Sequence, residues 1–345
     1  MKITVKHIVY GVLLATALWM LPACNRKLDL PEMEGSKSIA LLGELVADDS
    51  FCFRAGQSVP LASGNNLQFE VLRGLTIYAT DGASNISFTG TDDSATATLY
   101  TIPFTSPQKV LPLHTYRIVA SHPQITAATA IVEIPGPFTA ELVDTQTMQY
   151  STEHVMKVTL RIHDVGNTTN YYVIEALKQR APITEDSFLY NGIWRSISAN
   201  TDLYYQLLSQ GIYPETKRDT AYENSYVRRI LYTDDVNTDN VMEKGVYNRN
   251  RRVLLKDNTF NGGSHLSTVY VPVDTASFSL FEGGMVRLLV KSVPENYYRF
   301  LKAYENFTDA GGYSTFSQPV KVEGNVNNGV GMIGGAYVIA AKIKH

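Results

Sequence analysis

From Ser38 to Ile134 the apolar residues come in runs too short for helices, and this pattern constrains the fold more than any other feature of the chain. The runs are "IALLGELV", "LQFEVLR", "LTIYAT", "ATATLYTI", "TYRIVAS" and "ATAIVEI". Between several of them lie "ADDS", "SGNN", "DGASN" and "TGTDDS", clusters of Gly, Asn, Asp and Ser that form turns. About seven short strands at such spacing predict an immunoglobulin-like β-sandwich over residues 38–135. The composition agrees, with 18% charged residues against the roughly 25% of ordinary domains.

The stretch "IPGPF" (Ile134–Phe138) then breaks strand pairing twice with proline, which places a domain boundary there. A larger β-rich domain, sandwich or barrel, is predicted over 139–345. It begins with "HVMKVTLRIHD", where Val155, Lys157, Thr159 and Arg161 alternate with Met156, Val158, Leu160 and Ile162. "NYYVIEALKQ" follows the turn "GNTTN" and predicts a hairpin with it. A long polar insertion runs from Ala181 to Val253, broken by a short helix around Asp202–Gln210 that Gly211 closes. Strands resume at "STVYVPV" and "MVRLLVKS".

A second helix is predicted in "SVPENYYRFLKAYEN". Ser292 and Glu295 have the spacing of a capping box, Pro294 suits a first turn, and Tyr297, Phe300, Leu301 and Tyr304 form a stripe on one face.

The N-terminus carries an address. Lys2 and Lys6 precede an uncharged run from Ile8 to Met20, the layout of a secretory signal over residues 1–23. The run is shorter than the ~20 residues a membrane-spanning helix needs. It ends in Leu21-Pro22-Ala23-Cys24, which resembles the bacterial lipobox, so Cys24 is read as the lipid attachment site and 24–37 as a tether. An ordinary cleaved signal with a chance cysteine is the competing reading. Cys52 then has no partner in the chain and is read as a free thiol in a strand or turn. Removing residues 1–23 deletes two lysines and no acid, so the net charge goes from −3 to −5 (−3 − 2). A mildly acidic chain gives no electrostatic case for nucleic acid.

Catalytic and cofactor motifs fail on inspection. "GVGMIG" (Gly329–Gly334) has the form G-x-G-x-x-G, but only "GAYVIAAKIKH" follows it. That tail alternates like a strand and leaves no place for a ribose-binding acid, so the glycines are read as a bend before a final strand. Asp235, Asn237 and Asp239 fit the first positions of a calcium loop, yet Asn240 and Val246 stand where it needs Gly and Glu. The histidines show no zinc spacing and no G-x-S-x-G elbow exists. His163–Asp164 is read as a strand-ending turn. No metal, cofactor or catalytic residue is expected.

The C-terminal third carries the most specific pattern: "KDNTFNGG" (Lys256–Gly263), "VRLLVKSVPENYYRFLKAYEN" and "FSQPVKVEGNVNNGVGMIGGAY" (Phe316–Tyr337). It resembles a family of Bacteroidetes outer-membrane lipoproteins catalogued as a domain of unknown function. Asp257, Phe260, Asn261, Gly262, Tyr297, Tyr298, Pro319, Asn325, Gly329, Gly331 and Gly334 carry the match, while Asn327–Asn328 replace a usual glycine pair. The resemblance implies a lipoprotein encoded beside TonB-dependent transporters, without an assigned activity.

The expected function is therefore a non-enzymatic, lipid-anchored protein of the outer membrane, serving as accessory or ligand-capture partner of a TonB-dependent importer. A surface hydrolase with a site assembled from distant residues, or an adhesin or assembly subunit, are the alternatives. The insertion 181–253 is rich in Tyr, Trp and Arg, the residue types that dominate binding hot spots. Trp194, Arg195, Tyr204 and Tyr205 are its candidate binding residues for a partner or an unknown small ligand. The same rings could instead cover the second domain's sheet.

Overall fold

The computed structural model describes residues 37–58, 71–91, 101–150, 153–166, 168–179, 185–218, 226–239, 251–272, 285–309 and 322–344. The signal segment, Cys24, Tyr222, Tyr247, Val246 and Pro319 lie outside the described residues. The chain opens with β1 (Ser38–Val46), β2 (Ser50–Ser58), β3 (Thr76–Thr80), β4 (Asn85–Ser87), β5 (Thr89–Gly90), β6 (Ile102–Lys109), β7 (Thr115–His122) and β8 (Ile125–Glu133). After the proline stretch come β9 (Thr139–Tyr150), β10 (Glu153–His163) and β11 (Tyr171–Gln179). Next are β12 (Glu185–Tyr190), β13 (Ile193–Ser196), helix α1 (Thr201–Ser209), β14 (Thr216–Arg218), β15 (Tyr226–Arg228) and β16 (Tyr232–Thr233). The last elements are β17 (Val253–Lys256), β18 (Ser264–Pro272), β19 (Met285–Val293), helix α2 (Glu295–Asp309), β20 (Val326–Asn327) and β21 (Gly329–Lys344).

The chain is mainly β, built of several sheets, and none of them closes into a barrel among the described residues. The largest has the order β15-β11-β19-β21-β1-β2-β6-β5, with β17 also on β11. It forms because β21 serves two neighbours in turn. Gly329–Ala336 pairs parallel with β1, and Tyr337–Lys344 pairs antiparallel with β19. Alternation along β21 then sorts the layers. Ile333 enters a core of Ile39, Leu41, Phe51, Phe53, Tyr116 and Ile118 under the sheet β20-β8-β7-β3-β4. Tyr337, Ile339 and Ile343 enter a second core under the sheet β16-β18-β10-β9, with Val158, Leu160, Ile174 and Leu288. The opposite residues, Met332 and Ala336, meet Tyr297, Tyr298 and Leu301 of α2. The five-stranded and four-stranded sheets thus cover one face of the large sheet, and α2 covers the other.

Several expectations need correction. β10 and β11 do not form a hairpin: β10 pairs with β9 and β18, whereas β11 pairs with β15, β17 and β19. Tyr172 to Ala176 of β11 are buried without a break, which demands cover on both faces and so a place in the central layer. The capping box is absent, because Ser292 is still in β19 and α2 begins at Glu295, whose carboxylate takes Arg299 at 2.5 Å. The inward stripe of α2 runs through Tyr297, Tyr298, Leu301 and Glu305, and Tyr304 is exposed. The glycine run of β21 is strand, not bend; Gly331 has φ 112° and a Cβ there would strike the carbonyl of Leu41. The described residues of the insertion hold five short strands, β12 to β16, besides α1.

The α2 face of the large sheet carries a buried ionic cluster. Glu175 of β11 meets Lys291 of β19 at 3.0 Å and accepts from Arg252 at 2.8 Å and from Arg228 Nη2 at 3.3 Å. Lys291 also meets Glu44 of β1 at 2.7 Å, and Arg252 pairs with Glu305 of α2. The Tyr297 hydroxyl donates to Glu44 at 2.7 Å. Three carboxylates face three cations, so the group is neutral as a whole. Burial alone would raise the Glu175 carboxyl, but Lys291, Arg228 and Arg252 bring it down to about 2.

Breaking such a buried pair strands a charge and costs about 3–5 kcal/mol. Arg252→Ala should therefore lose that much unfolding free energy in urea, while Arg299→Ala on the exposed side of α2 should stay within about 0.5 kcal/mol. The depressed Glu175 carboxyl adds stability that is complete above the ordinary carboxylate value of 4.5 and is lost as pH falls toward about 2. Unfolding free energy should decline over that window, and decline less steeply in Glu175→Gln.

Candidate functional site

The candidate binding residues fall in a small module of their own. β13, β12 and β14 make a separate three-stranded sheet, and α1 lies between β13 and β14 in the chain. β12 and β13 are joined by Asn191–Gly192, both at positive φ (52° and 74°). This is the two-residue loop whose twist matches a hairpin, and the Asn-Gly dipeptide is its sequence signal. α1 ends as Gly211 turns left-handed (φ 75°), with Gly211 N–H on Leu208 O at 3.0 Å and Ile212 N–H on Leu207 O at 2.9 Å. That pair of bonds is a Schellman motif, and it confirms the predicted stop at Gly211.

The four sequence candidates divide. Phe188 is the module's buried centre, and Tyr204 packs on it with ring centres 5.1 Å apart, half-buried. Trp194 is half-buried under Lys217, whose ammonium sits 3.9 Å from the ring centre. Arg195 lies 5.8 Å over Tyr190. These three residues are engaged within the module. Tyr205 points outward and is 60% exposed, against 82% for Tyr213.

Tyr213 has company. Phe188 pairs with Thr216, and Leu189 N–H reaches Glu215 O at 2.8 Å. Ile212 and Tyr213 lie in the segment between the end of α1 and β14. Ile193 is 59% exposed and Ile212 half exposed. The exposed apolar and aromatic side chains at the tip and outer side of the module are therefore Ile193, Tyr205, Ile212 and Tyr213. Ile193 and Ile212 escaped the sequence reading because isolated isoleucines in a polar stretch look like core.

The arginines of the insertion are not a patch. Arg228 and Arg252 belong to the buried cluster around Glu175. Lone charges inside apolar strands, Glu175 in "YYVIEALKQ" and Lys291 in "VRLLVKS", were the signal for that cluster.

Other chemistry-bearing residues serve local structure. Asp164 accepts from the Tyr172 hydroxyl at 2.5 Å and from Gly262 N–H at 2.7 Å, which fixes the turn after His163. Asp235 accepts from the Asn237 N–H at 3.0 Å and lies 2.7 Å from His265 Nε2, and Phe260 stacks on that imidazole. His163 lies 2.9 Å from Ser264 Oγ and 3.7 Å from Glu141, but Glu141 is taken by Arg161 at 2.5 Å. The nearby N–H groups of Gly262 and Gly263 bond to Asp164 and to Phe260 O, so they are not free to hold an oxyanion. Cys52 is an exposed thiol in β2.

The residues of the C-terminal pattern also read as structural. Asp257 is buried and accepts from Asn170 N–H, and Asn261 donates to Thr168 O. Asn325 bonds both the N–H and the carbonyl of Ile333. Tyr298 donates to Asp239, and Tyr297 leaves no room for a Cβ at Gly334. Asn328 takes the left-handed backbone (φ 54°) that a glycine would adopt more readily.

A family model described as "Domain of unknown function (DUF4249)" matches residues 46–339. No curated protein matches the chain. Among solved structures, Escherichia coli alpha-2-macroglobulin activated by porcine elastase aligns at 7% identity and a TM-score of 0.20, over 75% of this chain and 18% of that one. A likeness that low carries no argument.

The division of the module generates a test. Phe188→Ala should cost about 3–5 kcal/mol of module stability and release the amides of β12 to β14 to hydrogen exchange. Tyr205→Ala and Tyr213→Ala should leave both the exchange pattern and the melting temperature as they are, since exposed side chains move stability by only about 0.5 kcal/mol.

Proposed function

The chain belongs to the family described as Domain of unknown function (DUF4249), and from its own residues we propose that it is a non-enzymatic, lipid-anchored cell-envelope protein. Its role in this reading is that of an accessory or ligand-capture partner of a TonB-dependent importer in the outer membrane. One observation carries the reading: the module of β12, β13, β14 and α1 keeps its own core and presents Ile193, Tyr205, Ile212 and Tyr213 to solvent. Exposed aromatic and aliphatic side chains on a rigid hairpin and helix cost little entropy to bury, which suits recognition. Loops and small projections on a rigid scaffold are where binding residues concentrate.

The anchor rests on the sequence, where Lys2, Lys6, the run Ile8–Met20 and Leu21-Pro22-Ala23-Cys24 have the order of a lipoprotein signal. A single acyl chain holds a membrane only marginally, so the reading requires that Cys24 carry more than one. The importer as partner rests on the resemblance of the C-terminal pattern to lipoproteins encoded beside such transporters.

Two measurements decide the reading. Cys24→Ser should leave the protein uncleaved or in the soluble periplasmic fraction, and its persistence in outer-membrane fractions would remove the anchor from the proposal. The native chain should co-purify with a TonB-dependent receptor. The pair Tyr205→Ala and Tyr213→Ala should lose that receptor at an unchanged melting temperature, and a receptor retained by the pair would move recognition away from the module.

A further inference from the structure

A second recognition surface lies where the proline stretch meets the turn between β10 and β11 and the start of α2. The cleft there has a volume of about 620 Å³, within the range of small-molecule sites. Its apolar walls include Leu113, Phe138, Val165 and Tyr171, and its charged residues are Glu133 and Glu295. No lysine, arginine or histidine is among the described residues that line it.

Leu113 is unusual twice over. Its backbone is left-handed (φ 62°), a conformation that an L side chain resists. The side chain is then held against Gly136, in the mouth of the cleft, at 78% exposure. Val165, which also lines the cleft, is half exposed. Neither side chain is used by the cores, so burial by a ligand would recover apolar area that the fold leaves in water.

The electrostatics of the cleft point one way. The Glu133 carboxylate has neither hydrogen bond nor ion pair among the described residues. Glu295 shares its charge with the exposed Arg299 at 2.5 Å. Behind the wall formed by Thr168 to Tyr172 sit Asp257, bonded to Asn170 N–H, and Asp164, bonded to the Tyr172 hydroxyl. Against these four carboxylates the near cations are Arg299 and Lys256, the latter 5.7 Å over the Tyr171 ring. Burial raises the Tyr171 phenol and Glu295 raises it further; burial raises the Asp257 carboxyl and Asp164 adds to that. Burial is the larger cause in both groups and disfavours charge of either sign; only the smaller contributions of Glu295 and Asp164 are specific to negative charge. The charged side chains that line the cleft are both carboxylates, set against the positive end of α2 and Arg299, and a cleft focuses the field of its lining.

We propose that this cleft binds a small organic cation, a protonated amine on an apolar body, with the ammonium between Glu133 and Glu295 and the body against Leu113, Phe138 and Val165. The site is separate from the module tip and involves no bond making. It does not depend on the anchor or on the importer, so either proposal can fail alone.

The test uses the full chain and three probes of one shape: 2-phenylethylamine, 2-phenylethanol and 3-phenylpropanoate. Calorimetry at low ionic strength should show saturable binding of the amine, binding of the alcohol about tenfold weaker or more, and none of the carboxylate. Glu133→Gln should weaken the amine about threefold to fivefold, the worth of a solvent-exposed ion pair, without shifting the melting temperature. Leu113→Gly, which relieves the left-handed backbone, should keep the fold and weaken amine and alcohol alike. Equal affinity for amine and alcohol, indifference to Glu133→Gln, or no saturable binding of the amine at millimolar concentration would each overturn the assignment.

Discussion

A final strand can stand between β1 and β19, with α2 lying across it, only if its backbone comes closer to its neighbours than side chains allow. Gly331 meets the carbonyl of Leu41, and Gly334 lies under the Tyr297 ring. Any Cβ at those places would push β21 off β1 or lift α2 from the sheet. The parallel register of Ile39–Val46 with Gly329–Ala336 follows from this contact, and so does the joining of the first and last strands into one sheet. Such long-range parallel pairing forms late and slowly in folding, because the chain between the partners must be ordered first.

The same face of the sheet holds the ionic cluster, and its geometry answers to β21. Glu44 on β1 and Lys291 on β19 flank that strand, yet they meet at 2.7 Å because small residues separate them. An apolar cluster of equal volume could hold α2 at least as strongly. Charges with fixed partners add register: Glu305 accepts both from Arg252 and, at 2.9 Å, from Arg251 N–H, which places α2 along its own axis. Tyr297 adds a third point through Glu44. A helix held at these points cannot slide, and Pro294 and Glu295 at its start are part of the cleft's wall.

What the sequence made legible follows from periodicity. β3, β7, β8 and β10 stood out because each buries one face, and α1 stood out because Gly211 ends it, while "LQFEVLR" and "ATATLYTI" lie mostly outside the described residues. Strands buried on both faces were legible as strands but not as partners. β11 lies after "GNTTN", which has the composition of a hairpin turn, yet that segment carries the chain from one sheet to the facing one. Nothing local distinguishes the two, because the choice depends on which residues β11 must bury. Of the candidate site, Tyr205 was identified and the module tip was not, since exposure of Ile193 and Ile212 depends on the absence of a layer above them. The cleft was illegible for a similar reason: Leu113, Glu133, Val165 and Glu295 are distant in sequence, and nothing in the segment of any one of them points to the others.

The residues that carry the C-terminal pattern bear on where variation in function can lie. Asp257, Asn261, Tyr297, Tyr298, Asn325 and Gly334 hold turns, the helix or the last strand, and none belongs to the module tip. Where the pattern approaches the cleft it does so from behind, as Asp257 and Asn261 fix the Thr168–Asn170 wall without facing a ligand. A chain can therefore keep every one of these residues, and with them the glycine contact and the ionic cluster, while changing Glu133, Leu113 or the tip of the module. The pattern specifies a scaffold, and the surfaces that would choose a ligand or a partner are free to differ on it.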